Sequence, residues 1–212
     1  LNCGYTSITS LDLSHNMALK TLVLENSKIV SLDVSNHTAL TFLNVQSTHD
    51  LTSLDVTNCT SLKTIWVSYG KATSLDVSSC TSLKSLECHH NYDMTSLNVT
   101  GCTALEELVC YADSLFTLDV SQNPALTTLN CYNNELTSLD VSNNPALTKL
   151  NCERNYLTSL NVSNNPALTK LECYENELTS LNLTSCPALT TLECYNNKLT
   201  SILFHPDATP TT

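Results

Sequence analysis

Residues Leu136 to Tyr156 read L-T-S-L-D-V-S-N-N-P-A-L-T-K-L-N-C-E-R-N-Y, and the pattern starts again at Leu157. Counting outward from Leu139, the Leu of each S-L-D-V-S-like pentapeptide recurs at Leu118, Leu97, Leu75, Leu54, Leu32 and Leu11. In the other direction it recurs at Leu160, Leu181 and Ile202. Each step is 21 residues, except the 22 between Leu32 and Leu54 and the 22 between Leu75 and Leu97. The extra residues fall near His49–Asp50 and Tyr92–Asp93, in connections, where insertion is tolerated. A fixed period of this length is the mark of stacked repeats that bury a continuous core between neighbours. It predicts one solenoid over 1–205, made of a half repeat (1–10), nine repeats (11–201) and a final strand (202–205), then a tail over 206–212.

Each repeat divides in two. One half carries Leu139, Val141, Asn144 and Leu147; the other carries Leu150, Cys152, Asn155 and Leu157. An apolar residue at i and i+2 is strand alternation. About eleven residues leave no room for a strand, two turns and a helix of ordinary length. Each half therefore reads as a short strand and a tight corner, with Asn supplying the left-handed conformations that Gly usually fills. Stacked in register, the halves predict two parallel β-sheets back to back, few or no helices, and a rise of about 4.8 Å per coil.

Polar and sulfur positions recur with the same period. Asn91, Asn134, Asn155, Asn176 and Asn197 share one position, with Asp113 as its variant. In the other half Asn16, Asn123, Asn144 and Asn165 alternate with Cys59, Cys80, Cys102 and Cys186. An inward Asn at a corner can pair backbone groups of its own and neighbouring coils. Cys3, Cys88, Cys110, Cys131, Cys152, Cys173 and Cys194 form another column, in which Leu24, Val45 and Val67 stand elsewhere. A position shared by thiols and aliphatic groups reads as buried packing. In-register strands also hold such side chains parallel, which suits poorly the torsion of about 90° that a disulfide needs.

These doubled 21-residue units with their Cys column resemble the repeats of bacterial surface leucine-rich-repeat proteins, most of all the cysteine-ladder, internalin J-like type common in gut Bacteroidetes. The likeness runs from Leu1 to about Ile202, with departures where Leu24, Val45 and Val67 break the Cys column and His37 replaces a corner Asn. It implies a right-handed parallel solenoid, an extracellular or cell-surface location, and adhesion or ligand recognition. It implies no catalytic residues.

Composition narrows the partners. Nine Lys and Arg against twenty Asp and Glu give a net charge of -11, which repels nucleic acid and anionic membranes. No apolar run approaches the roughly 20 residues of a membrane span. The six His are scattered, and the one local cluster is Glu87-Cys88-His89-His90 with Asp93. Strand alternation sends Cys88 inward and His89 outward, so no shared metal site is expected there. Ser is abundant without a G-x-S-x-G elbow, and a flat two-sheet rod offers no deep pocket. Neither a catalytic group, a metal nor a cofactor is expected.

The two faces differ. Outward positions of the L-D-V half are monotonous, as in Ser138, Asp140 and Ser142. The column Asp12, Asp33, Asp55, Asp76, Asn98, Asp119, Asp140, Asn161 and Asn182 reads as a solvated polar face; hard cations favour such oxygens, but no calcium-loop spacing accompanies them. The L-x-C half varies instead, with columns that include Trp66, then His89, Tyr111, Tyr132, Glu153, Tyr174 and Tyr195. These residues, with Arg154, are the candidate ligand contacts, since Tyr and Trp dominate interface hot spots. An alternative stays open: the aromatic column simply stacks coil on coil. The expected function is a non-catalytic binding module for a protein or glycan. The alternative is a rigid spacer or stalk holding another domain.

Overall fold

A computed structural model describes residues 1–210. Seventeen strands, β1 to β17 in chain order, each span three or four residues, and no helix occurs among the described residues. The L-x-C halves form one parallel nine-stranded sheet. It comprises β1 (Thr21–Val23), β3 (Phe42–Asn44), β5 (Thr64–Trp66), β7 (Ser85–Glu87), β9 (Glu107–Val109), β10 (Thr128–Asn130), β12 (Lys149–Asn151), β14 (Lys170–Glu172) and β16 (Thr191–Glu193). Each strand pairs with its equivalent one repeat away, as Leu129 does with Leu108 and Leu150. The chain is thus a parallel β-solenoid.

The L-D-V halves are less continuous than two unbroken sheets would require. They form four two-stranded pieces: β2 (Ser31–Asp33) with β4 (Ser53–Asp55), β6 (Ser74–Asp76) with β8 (Ser96–Asn98), β11 (Ser138–Asp140) with β13 (Ser159–Asn161), and β15 (Ser180–Leu183) with β17 (Ser201–Phe204). Residues 117–119 follow the same path without strand pairing. The Asp column marks where each of these halves bends. Asp12, Asp33, Asp55, Asp76, Asp119 and Asp140 each accept through Oδ1 the N–H two residues on, at 2.8 to 2.9 Å. The captured N–H turns the chain after each such residue. The last strand, expected over 202–205, is β17; of the tail, positions 211 and 212 lie outside the described residues.

Between the faces runs one apolar cluster. Leu22, Leu43, Ile65, Leu86, Leu108, Leu129, Leu150, Leu171 and Leu192 form a register column that is at most 4% exposed. Burying a side chain of this size is worth roughly 1.5–3 kcal/mol, repeated at every coil. Cys88, Cys110, Cys131, Cys152 and Cys173 are buried in the same cluster as free thiols.

The two ladders close the corners. Asn134 donates through Nδ2 to the Cys110 and Cys131 carbonyls at 2.8 and 3.1 Å, and its Oδ1 accepts the Leu115 N–H at 3.0 Å. Asn155, Asn176 and Asn197 repeat this pattern. In the other half Asn144 donates to the carbonyls of Val120 and Asn123, both at 2.9 Å. Cys59 and Cys102 serve as more than small apolar fillers there. Their thiols donate to the Val34 and Val77 carbonyls, in the place of the Asn amide, at 3.0 and 3.1 Å. His37 spans the same gap, with Nδ1 2.9 Å from the Val34 carbonyl and Nε2 3.2 Å from that of Leu13.

The left-handed residue is not the ladder Asn but the residue before it. Asn26, Asn133 and Asn196 fill that place, yet so do Tyr5, Ser47, Tyr69, His90, Ala112, Arg154 and Glu175. Apart from Asn196, in the last coil, their N–H groups bond the next coil's carbonyls, as Arg154 does with Tyr174 at 3.1 Å and Glu175 with Tyr195 at 3.0 Å. Stacking fixes the conformation there, against the local preference of the residue.

Candidate functional site

The nine-stranded sheet carries the variable face. Just beyond its strands, the column of candidate residues forms two stacks. His89 and Tyr111 have ring centroids 4.4 Å apart at 5°, and Tyr111 and Tyr132 are 4.4 Å apart at 11°. Tyr174 and Tyr195 are likewise 4.4 Å apart at 10°. Parallel in-register strands set this spacing, which falls at the interstrand distance of about 4.8 Å and suits aromatic stacking. Ring faces between neighbours are therefore covered. Solvent meets ring edges and phenol oxygens, and Tyr195 is left 52% exposed.

Glu153 separates the two stacks. Alternation places it outward, but its neighbours cover it to 7% exposure, and His89 to 8%. The Glu153 carboxylate next in the column holds the Tyr174 phenol well above its usual range. Arg154 follows on the exposed corner rather than in the column, with Nε 3.1 Å from Glu175 Oε2. Trp66, on β5, is half-buried and meets the edge of Phe42 on β3 at 5.1 Å and 81°. The structure thus brings His89, Tyr111, Tyr132, Glu153, Tyr174 and Tyr195 into one row, with Arg154 at its rim and Trp66 apart from it.

Several features were not legible from alternation alone. Phe42 starts its strand as Trp66 ends its own, so their contact across β3 and β5 depends on register. Tyr69, His90 and Tyr92 cluster at the corner beside His89, because the left-handed turns at Tyr69 and His90 carry those side chains out of the strand's alternation. Tyr69 and His90 stack at 4.6 Å. His89 and His90 approach with Nδ1 atoms 2.9 Å apart, and burial pushes His89 down to about 4, with His90 adding to the shift.

Asp113, the variant in the Asn column, is a buried carboxyl. Oδ1 accepts the Asn91 N–H at 2.7 Å, while Oδ2 has no protein partner. Burial pushes its pKa up to about 8, against the lowering effect of that N–H. On the opposite face, the N–H groups of Ser14 and Ser35 hold Asp12 and Asp33 below the usual carboxylate range. Those carboxylates are turn-formers, one to each corner. Burial raises the thiols, Cys131 to about 12 and Cys59 to about 11. No group of three or more His, Cys, Asp or Glu placed to hold a metal occurs among the described residues. No helix among them is long and apolar enough to cross a membrane.

Known proteins share this architecture. The functional domain of InlJ from Listeria monocytogenes, whose description includes a cysteine ladder, superposes with a TM-score of 0.77 at 35% identity, over 98% of this chain and 48% of that one. A leucine-rich-repeat protein of Leptospira interrogans superposes with a TM-score of 0.77 at 22% identity, over 94% of this chain and 55% of that one. The APL1 leucine-rich repeat domain gives a TM-score of 0.64 at 20% identity, over 98% of this chain and 65% of that one. The chain spans about half the length of the first two. No protein-family model matches it, and no curated protein matches it in sequence.

Proposed function

Because the chain is a leucine-rich-repeat solenoid with an internalin-like cysteine ladder, we propose that it is the non-catalytic binding module of a bacterial surface or secreted protein. It recognises a protein or glycan through the nine-stranded face. One observation carries this reading: a single continuous sheet presents side chains that change from coil to coil, while the broken L-D-V face repeats Ser and Asp used up in turns. Trp66, Tyr111, Tyr132, Arg154, Tyr174 and Tyr195 supply the contacts, with His89 and Glu153 setting the row's spacing and polarity. Phenol oxygens and ring edges offer hydrogen bonds and apolar contact at low entropic cost, as interface hot spots do.

The test is an array of cell-surface proteins and glycans probed with the chain and with a Trp66→Ala/Tyr132→Ala/Tyr174→Ala variant. Binding is expected for the former and lost in the latter. Asp119→Asn and Asp140→Asn are expected to leave binding intact, since Asn161 already forms the same turn, with Oδ1 3.1 Å from the Ser163 N–H. Binding that survives the aromatic variant and vanishes with the Asp changes assigns the other face. The uniform L-D-V face favours a second reading, a stalk for another domain, and an array without any ligand makes it the better account.

A further inference from the structure

The 21-residue period breaks twice, and the two breaks meet in space. His49 belongs to the first insertion, and Tyr92 and Asp93 to the second. All three line one recess of about 340 Å³, with Gly70 between them. Gly70 holds the ladder position in the intervening coil; a Cβ there would come within 3.2 Å of Asn91 Oδ1 and 3.4 Å of the Leu51 carbonyl oxygen. Asn91 reaches into that place instead, its Oδ1 accepting the Gly70 N–H at 2.8 Å, so the corner has no side chain of its own on the coil between the two insertions.

Aromatic rings wall the recess. Tyr69 and His90 stack at 11°, and Tyr92 stands edge-on to His90 at 5.7 Å and 88°. Its charged and polar groups are His49, Lys71, His90 and Asp93 with the phenols of Tyr69 and Tyr92. His49 Nδ1 lies 2.9 Å from the Tyr69 carbonyl oxygen. That oxygen can only accept, so Nδ1 carries a hydrogen. Lys71 is matched by Asp50, 3.4 Å away. Asp93 forms no ion pair among the described residues, and burial lowers His90, so that ring is uncharged near neutrality.

We infer that this recess is a socket for the cationic side chain of an arginine or lysine on a partner protein. Aromatic walls attract a cation within about 6 Å of a ring centroid, Asp93 supplies the counter-charge, and the net charge of -11 draws basic surfaces toward the chain. The socket sits at a corner, and its occupancy does not depend on the sheet-face reading.

The test is titration of the chain with arginine amide, followed through the backbone amide shifts of Gly70, Lys71 and Asp93. A saturable millimolar response at those amides is expected, with none at Gly101. Asp93→Asn and Tyr92→Ala should each weaken it at least five-fold; both side chains are exposed, and unchanged circular dichroism will show that the fold persists. The Trp66/Tyr132/Tyr174 variant should keep the response, which separates this socket from the sheet face. Methyl glucoside at the same concentrations should give no saturable shift. Shifts that do not saturate, or that survive Asp93→Asn, overturn the proposal; saturable binding of the glucoside without arginine amide makes the recess a sugar subsite instead.

Discussion

At the scale of single residues, the left-handed corner positions carry strain that the stack imposes. Glu175 has φ 52° and Ser47 φ 55°, where a non-Gly residue costs about 1–2 kcal/mol. Ser47→Gly is therefore expected to raise the unfolding free energy by about 1 kcal/mol, after allowing for the entropy Gly adds to the unfolded chain. Urea denaturation measures it, and a loss of stability would show that Ser47 contributes contacts that outweigh the strain. Asp113 gives a pH signature. Its folded pKa of about 8 exceeds the unfolded value of about 3.9, so the folded state holds the proton more tightly. That contribution is fully present below pH 4 and is lost as pH rises toward 8, with a slope of up to about 1.4 kcal/mol per pH unit. Asp113→Asn should therefore stabilise the chain at pH 8 and match the parent near pH 4 in paired thermal melts. An equal gain at both values would mean that the carboxyl is not protonated in the folded state.

At the scale of the element, the two ladders differ in what they can lose. The oxygens of Asn123, Asn144 and Asn165 have no protein partner, whereas those of Asn134, Asn155 and Asn176 accept the N–H groups of Leu115, Leu136 and Leu157. Replacing Asn155 by Cys leaves a buried N–H unpaired, at about 1–3 kcal/mol. Asn144→Cys keeps a donor toward the Val120 carbonyl, as Cys102 does toward Val77, and is expected to cost less than half as much. Comparing the two variants by denaturation decides this, and equal losses would contradict it. The sequence already shows the asymmetry: Cys enters one ladder four times and the other never.

At the scale of the whole molecule, every coil shares one core. Leu150→Ala is expected to cost about 2–5 kcal/mol through the cavity it leaves, while Tyr132→Ala, half-buried at the surface, should cost under about 1 kcal/mol. The ladder thiols should be slow to react in the native chain, since Cys88 to Cys173 are buried and Cys3 and Cys194 are partly exposed. Unfolding should release all 11 thiols to a thiol reagent without prior reduction. Fewer titratable groups would reveal disulfides.

The period alone determined much of this protein. Spacing of Leu11 to Ile202 fixed the coil, its strand positions, the inward columns and the division into a uniform and a variable face, because in a stack each position meets its own equivalent one repeat away. What tertiary structure decided lies at corners and across coils. Whether Glu153 is exposed depends on the Tyr132 and Tyr174 rings above and below it, which alternation along one strand does not contain. Which residues turn left-handed is set by hydrogen bonds to the next coil, so Arg154 and Glu175 adopt a conformation that their own preferences oppose. The Asp column is an exposed polar face, as the sequence suggests; that each carboxylate also forms a turn emerges only from the bent chain, because the N–H it captures is visible only there. His49 and Asp93 stand 44 residues apart in the chain and line one recess because parallel stacking superposes insertions that the linear sequence keeps separate.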